Sequence, residues 1–264
     1  MKNFEFQRPS TIADAVAALK KNPEAKFLAG GQSLLPVLKL GLAEPAALIS
    51  LAGLKELVDI RRDGDKVIVG ARATHDEVHR SSVMRESIPA LSHLASGIGD
   101  AQVRNRGTIG GSIAHADPAA DYPAAILALG ATIQTDRRRI DGKDFFKGLF
   151  ETALERDELV TAVHFPIPQK AAYAKFASRA SKYALVGVMV ARFADGVRVA
   201  VTGAGPKPFR VPAMEEALAK TWAANAIASI AVPADGLSSD LEASAKYRAH
   251  LITVMAHRAV AAAS

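Results

Sequence analysis

Apolar and polar positions follow two rhythms along this chain. Short β-rich runs bounded by Gly, Pro or Asp fall at residues 26–29, 66–70, 131–135 and 159–165. Between them the spacing predicts a helix over 11–22, with Ser10 as its cap, and another over 74–82. In the second, Thr74 and Glu77 have the spacing of a capping box, which puts a hydroxyl and a carboxylate on the free amides of the first turn. Residues 123–130 predict a buried helix ending at a glycine. Phe165-Pro166-Ile167-Pro168-Gln169 then stops a strand and stiffens a connector. Beyond it, 173–178, 183–193 and 197–202 predict three consecutive strands, with Asp195-Gly196 as the hairpin turn between the last two. From Pro212 the chain turns Ala-rich and helical. Its last long segment, 240–263, carries Leu241, Ala245, Leu251, Ile252, Met255 and Val260 at helical intervals. No internal repeat is present. The pattern predicts mixed α and β structure for the first two-thirds, then a small sheet followed by helices.

Composition narrows the chemistry. The chain has 264 residues, 49% hydrophobic and 23% charged, as in an ordinary folded protein. It contains no cysteine, which excludes disulfides, thiolate zinc, a cysteine nucleophile and cysteine-held iron–sulfur clusters. The longest apolar stretches, at 123–133 and 183–191, fall well short of the ~18 residues of a membrane span. The N-terminus lacks an apolar signal region, so a cytoplasmic protein is expected. The net charge of +6 is modest. The basic runs Arg61-Arg62 and Arg137-Arg138-Arg139 lie beside turn residues without aromatics, and they read as solvated strand ends rather than nucleic-acid contacts.

Several motifs fail on inspection. His75-Asp76-Glu77-Val78-His79 places two histidines at i and i+4, but Asp76 stands where a zinc-protease signature needs its glutamate. An exposed, capped helix start with surface histidines is the better reading. There is no phosphate-binding Gly-x-x-x-x-Gly-Lys loop, no Gly-x-Gly-x-x-Gly and no Gly-x-Ser-x-Gly. Gly97-Ile98-Gly99 lacks the third glycine.

Two glycine pairs remain, in Phe27-Leu28-Ala29-Gly30-Gly31-Gln32-Ser33-Leu34 and in Gly107-Thr108-Ile109-Gly110-Gly111-Ser112-Ile113-Ala114. Consecutive glycines permit positive φ and uncover successive amides, a concave donor set for an anion. Two such loops would grip the two phosphates of one dinucleotide, helped by the hydroxyls of Ser33, Thr108 and Ser112. Tight strand-to-helix turns are the competing reading. Downstream, His115-Ala116-Asp117-Pro118-Ala119-Ala120-Asp121 puts two carboxylates in a polar turn. Asp117 and Asp121 are placed to accept from ribityl, ribose or ring N–H groups, or Asp121 simply caps the next helix.

Taken together, these segments closely resemble the FAD-binding medium subunit of the molybdenum hydroxylases, the family of carbon monoxide dehydrogenase, xanthine dehydrogenase and bacterial N-heterocycle dehydrogenases. The similarity continues through Asp144-Phe145-Phe146-Lys147-Gly148-Leu149-Phe150-Glu151-Thr152-Ala153-Leu154 and into Tyr183-Ala184-Leu185-Val186, in the family's order. It implies an α+β, FAD-binding fold of the vanillyl-alcohol-oxidase type over 1–168, with two α+β subdomains (about 1–58 and 59–168) sandwiching an extended FAD. It implies a C-terminal medium-subunit domain over 169–264, with a three-stranded antiparallel sheet and a helical bundle. By resemblance the pyrophosphate contacts fall on 29–34. The second loop supplies Gly107, Thr108, Gly110, Gly111 and Ser112, with Ala114 close by, and Asp121 holds the sugar-derived portion. Leu159 and Val160 touch the cofactor from a strand. Lys175 lies near the ring and Tyr183 shields one ring face. Ser178-Arg179-Ala180-Ser181-Lys182-Tyr183 departs from the family's Arg-Arg-x-Gly-Asp-Tyr.

The implied function is electron transfer. A flavin accepts electrons singly and releases them as a pair, which suits the end of an iron–sulfur wire. Without thiolates this chain cannot hold the clusters. The resemblance therefore implies non-covalent FAD here, a small partner with two [2Fe–2S] clusters and a large molybdopterin partner, in a heterotrimer whose dimerisation is left open. NAD⁺ or a quinone is the expected acceptor. A flavin oxidoreductase acting alone is the alternative, and a non-catalytic nucleotide-binding module a third. The absence of cysteine also separates the chain from relatives of the benzoyl-coenzyme-A type, which insert a cluster into the flavin subunit.

Overall fold

The structure is a computed structural model describing residues 3–263. It opens with β1 (Glu5–Gln7), α1 (Ile12–Lys21), β2 (Lys26–Leu28), α2 (Leu34–Lys39) and β3 (Ala47–Ser50). These strands form a parallel sheet in the order β1-β3-β2, with β3 buried along its whole length. Helix α1 turns Ala15, Val16 and Leu19 toward it. Its cap is Thr11, whose hydroxyl accepts from the Asp14 amide, and not Ser10 as the sequence suggested.

A second sheet follows. Strands β4 (Ile60–Asp63) and β5 (Lys66–Gly70) lead into the helices α3 (His75–Arg80), α4 (Ser82–Ser87), α5 (Pro89–Ser96), α6 (Ala101–Arg104), α7 (Ile109–His115) and α8 (Tyr122–Ala128). Then come β6 (Thr132–Thr135), β7 (Arg139–Asp141), α9 (Gly142–Phe145), the short pair β8 (Phe146–Gly148) and β9 (Glu151–Thr152), and β10 (Val160–Pro166). The antiparallel order is β4-β5-β10-β6-β7, and the expected capping box at Thr74 and Glu77 is present. Helix α8 is apolar on almost every side because it is enclosed, and its chain exits through Gly130 in a left-handed conformation.

Pro166 ends β10 and Pro168 lies in the connector to β11 (Lys170–Ala177), β12 (Ala184–Phe193), β13 (Gly196–Thr202) and a two-residue β14 (Phe209–Arg210), which extends the three expected strands to four. The β12–β13 turn sits one residue early, on Ala194 and Asp195, with Gly196 paired opposite Phe193. The apolar run in β12 is explained by burial on both faces. Val186, Val188 and Val190 point into a core with α10 (Pro212–Lys220) and α11 (Ala245–Ala262), while Met189 and Ala191 join the core around α8. Helix α11 begins five residues later than its periodicity suggests. The Asp240 carboxylate accepts from the amides of Glu242 and Ala243 and from buried Arg248, holding 240–243 in a turn, and Ser244 caps the helix. No helix among the described residues is long and apolar enough to cross a membrane.

Candidate cofactor cleft

A cleft of about 630 Å³ opens between the parallel sheet and the elements built on the antiparallel one. Its first wall is the segment leaving β2. Phe27, Leu28, Ala29, Gly30, Gly31, Gln32, Ser33 and Leu34 all line it. Gly31 has φ +74°, a conformation in which a side chain is strained. Gly30 packs so tightly on the Arg106 carbonyl that a Cβ would collide with it. Among the described residues, the amides of Gly30, Gly31, Gln32, Ser33 and Leu34 meet no protein acceptor. A row of free donors on a cleft wall calls for an acceptor-rich ligand.

The second glycine segment forms the facing wall, with Gly107, Thr108, Gly110, Gly111, Ser112 and Ala114 on the surface. It is differently built. Gly110 donates to the Ala71 carbonyl at 2.8 Å, Gly111 to the Thr108 hydroxyl at 3.2 Å and Ser112 to the Thr108 carbonyl at 2.9 Å. These glycines lie in the first turn of α7, and because Ala71 and the Thr108 hydroxyl occupy their amides they offer no free donor row like that of the first segment. They give close approach instead. A Cβ on Gly110 would stand 2.6 Å from the Ala71 side chain, and a short bridge pairs Thr74 with Thr108.

Asp117 and Asp121 line the cleft on a turn held by the third sheet, through Thr202 Oγ1 to the Ala120 carbonyl at 2.6 Å and the Ala184 amide to Ala119 at 3.1 Å. The Asp117 carboxylate accepts from the Ala119 amide. The side chain of Asp121 makes no cap bond. Its buried carboxylate accepts from the Tyr173 hydroxyl at 2.7 Å and pairs with Lys175 Nζ at 2.9 Å. Burial pushes the Asp121 carboxyl up, and the ammonium and phenol pull it back. Lys175 itself is not on the cleft wall. Its ammonium is taken up by Asp121 and by the carbonyls of Gly97 and Lys182, so it holds the wall from behind. Tyr183, half-exposed after left-handed Lys182, does line the cleft.

Leu159 and Val160 complete the lining where β10 begins. The loop before them is clamped by arginines that stay exposed, as the sequence suggested, while their charged ends pair with it. Arg138 grips the enclosed Glu158 carboxylate at 2.8 and 2.7 Å, and Arg137 reaches Glu155 and Asp157. The Arg138 guanidinium holds the Glu158 carboxyl down at about 2. Sequence reasoning also missed His75. It is buried on the cleft wall rather than on the surface, held there by contacts with Gly107 and Tyr122, far along the chain. No group of three or more His, Asp or Glu among the described residues is arranged to hold a metal ion.

Two sheets, a long cleft between them and a wall of free amides define a binder of an extended, phosphate-rich cofactor. The family described as the FAD-binding domain in molybdopterin dehydrogenase matches residues 2–168. The chain is 36% identical to the nicotine 6-hydroxylase medium subunit of Paenarthrobacter nicotinovorans, over 97% of this chain and 96% of that one. It is 34% identical to the carbon monoxide dehydrogenase medium chain of Hydrogenophaga pseudoflava, over 98% and 96%. The solved carbon monoxide dehydrogenase of H. pseudoflava that lacks the Mo-pyranopterin moiety superposes with a TM-score of 0.89, at 34% identity, covering 99% of this chain and 97% of that one. This chain belongs to the FAD-binding flavoprotein subunits of the molybdopterin-dependent dehydrogenases.

Proposed function

We propose that this chain is the electron-output subunit of a cytoplasmic molybdenum hydroxylase. It receives electrons from [2Fe–2S] clusters on a small partner, reduced in turn by a large molybdopterin subunit, and passes them to NAD⁺ or a quinone. The observation that carries this is the row of free amides from Gly30 to Leu34, set against a chain without cysteine. Residues 1–168 hold FAD non-covalently, and 169–264 brace the cleft through Tyr173 and Lys175 on Asp121. When bound, the flavin supplies the change from one-electron to two-electron transfer. The protein's own share is binding and shaping. The free amides and Ser33 take the pyrophosphate, Asp121 orients a hydroxyl or N–H of the cofactor, and Leu159, Val160 and Tyr183 keep water from its apolar part. Relatives named for nicotine and for carbon monoxide stand at similar identity, so substrate choice is assigned to the large partner.

The test is reconstitution. The folded chain should take up one FAD and turn yellow, and its affinity-purified complex should carry iron and molybdenum. A folded chain that leaves FAD in solution overturns the cofactor assignment. A flavoprotein that reduces its own substrate and co-purifies with neither metal is instead a stand-alone oxidoreductase.

A further inference from the structure

We propose that His75 is a cofactor-binding residue: Tyr122 fixes its tautomer so that Nε2–H points as a hydrogen-bond donor into the cleft beside Gly107. The inference rests on the FAD reading. The backbone amide of His75 donates to the Gly107 carbonyl at 2.9 Å, which seats the ring at the second glycine segment. Nδ1 lies 3.3 Å from the hydroxyl of Tyr122, a residue with no exposed surface. That phenol has no other polar partner among the described residues. Were Nδ1 to carry the proton, the phenol would accept it and leave its own O–H unsatisfied in an apolar core. The phenol therefore donates, Nδ1 accepts, and the single proton of a neutral imidazole sits on Nε2. The ring is kept neutral by burial and by the neighbouring Arg104 charge, which draw it down to about 4.

Nε2 has no protein acceptor although the residue is only 5% exposed and lines the cleft. A Cβ at Gly107 would come within 2.6 Å of it, so glycine there is what leaves Nε2 room. The donor carries no charge, so it adds directionality to the second wall, whose glycine amides are already occupied.

Protein labelled with ¹⁵N-histidine tests this in the FAD-free and FAD-loaded states, with His75 assigned by the signal missing from His75→Gln. Expected are a protonated Nε2, an unprotonated Nδ1 and an Nε2 resonance that moves on FAD addition. A protonated Nδ1, or an Nε2 signal indifferent to bound FAD, overturns the proposal. In FAD titrations His75→Leu should bind about tenfold more weakly, the loss of one donor to a polar acceptor. His75→Gln, which keeps an N–H, should recover most of the affinity. Equal affinity in all three proteins would refute the role of His75. Wild-type protein that takes up no FAD would instead refute the FAD reading, while the labelled FAD-free chain still reports the tautomer. Should the leucine variant not fold, the wild-type titration decides.

Discussion

The two glycine pairs share a signature and face one cleft, yet they do different work. At 29–34 the chain turns between β2 and α2 with Gly31 in the left-handed region, and five successive amides remain free. At 108–112 both glycines lie within α7, at negative φ, with their amides bound to Ala71 and Thr108. The first pair uncovers the main chain. The second removes side chains so that a helix can press on Ala71 and an imidazole on Gly107. A Gly-Gly motif therefore has two physical meanings, and only the fate of its N–H groups separates them.

The strongest way to break this comparison is to add one methyl group to each loop. In Gly30→Ala the new Cβ runs into the Arg106 carbonyl, a backbone atom that cannot rotate away. The two walls must part, with a stability loss of about 3 kcal/mol and no measurable FAD uptake. In Gly110→Ala the methyl meets both the Cβ and the carbonyl oxygen of Ala71 at 2.6 Å, less closely than the Gly30 contact, at a cost of about 2 kcal/mol. Its FAD affinity per folded chain should stay within a few-fold of wild type. Thermal denaturation and flavin titration separate the two outcomes. Wild-type stability for Gly110→Ala would remove the packing half of the comparison.

Acid titration reaches the second wall through His75. His75 has its folded-state pKa lowered, by burial first and by Arg104 second, to about 4 from an ordinary 6.5. Between those values the unfolded chain binds more protons than the folded one, so stability is full above pH ~6.5 and falls as the pH drops toward ~4. The loss should reach about 3 kcal/mol at the bottom of that window. In His75→Gln this acid limb should be shallower but not absent, because burial also holds His164 below its ordinary value, and the difference is read from melting temperatures between pH 4 and 7. Equal slopes in both proteins would mean that the imidazole is not buried as a neutral group.

How far these walls could be read from the chain depends on the distance over which each contact acts. Local features were legible. The Thr74–Glu77 capping box, strand 66–70 and the apolar run in β12 are set by residues within a few positions of one another. The glycine segments and Asp121 were found because their chemistry is written in a run of neighbours. What escaped was set by partners far along the chain. The strands Glu5–Gln7 and Ala47–Ser50 pair in parallel across some forty residues of intervening sequence, and the three-residue β1 carries too little pattern to announce itself. His75 passed for a surface histidine because only its contacts with Gly107 and Tyr122 bury it. The three acceptors of Lys175 lie 78, 54 and 7 positions away, so its bracing of Asp121 was not legible either. Arg138 is exposed, as the sequence suggested, but its pairing was missed because Glu158 lies twenty positions away.

The smallest expected effect tests the comparison most finely, because it alters one hydroxyl on each side. Ser33 makes no side-chain cap bond, so Ser33→Ala should shift stability by less than ~0.5 kcal/mol and act only on FAD affinity, by a few-fold. Thr108 is buried, and its hydroxyl accepts from the Gly111 amide at the start of α7. Thr108→Ala should therefore lower stability by about 1 kcal/mol before any cofactor is added, since it removes a helix cap. The readout is the change in melting temperature with and without FAD. The Ser33 variant should match wild type without the cofactor and fall behind it with the cofactor, whereas the Thr108 variant should lag in both. If the two variants behave alike without FAD, the hydroxyls are equivalent and the walls are not divided into a donor loop and a packed one.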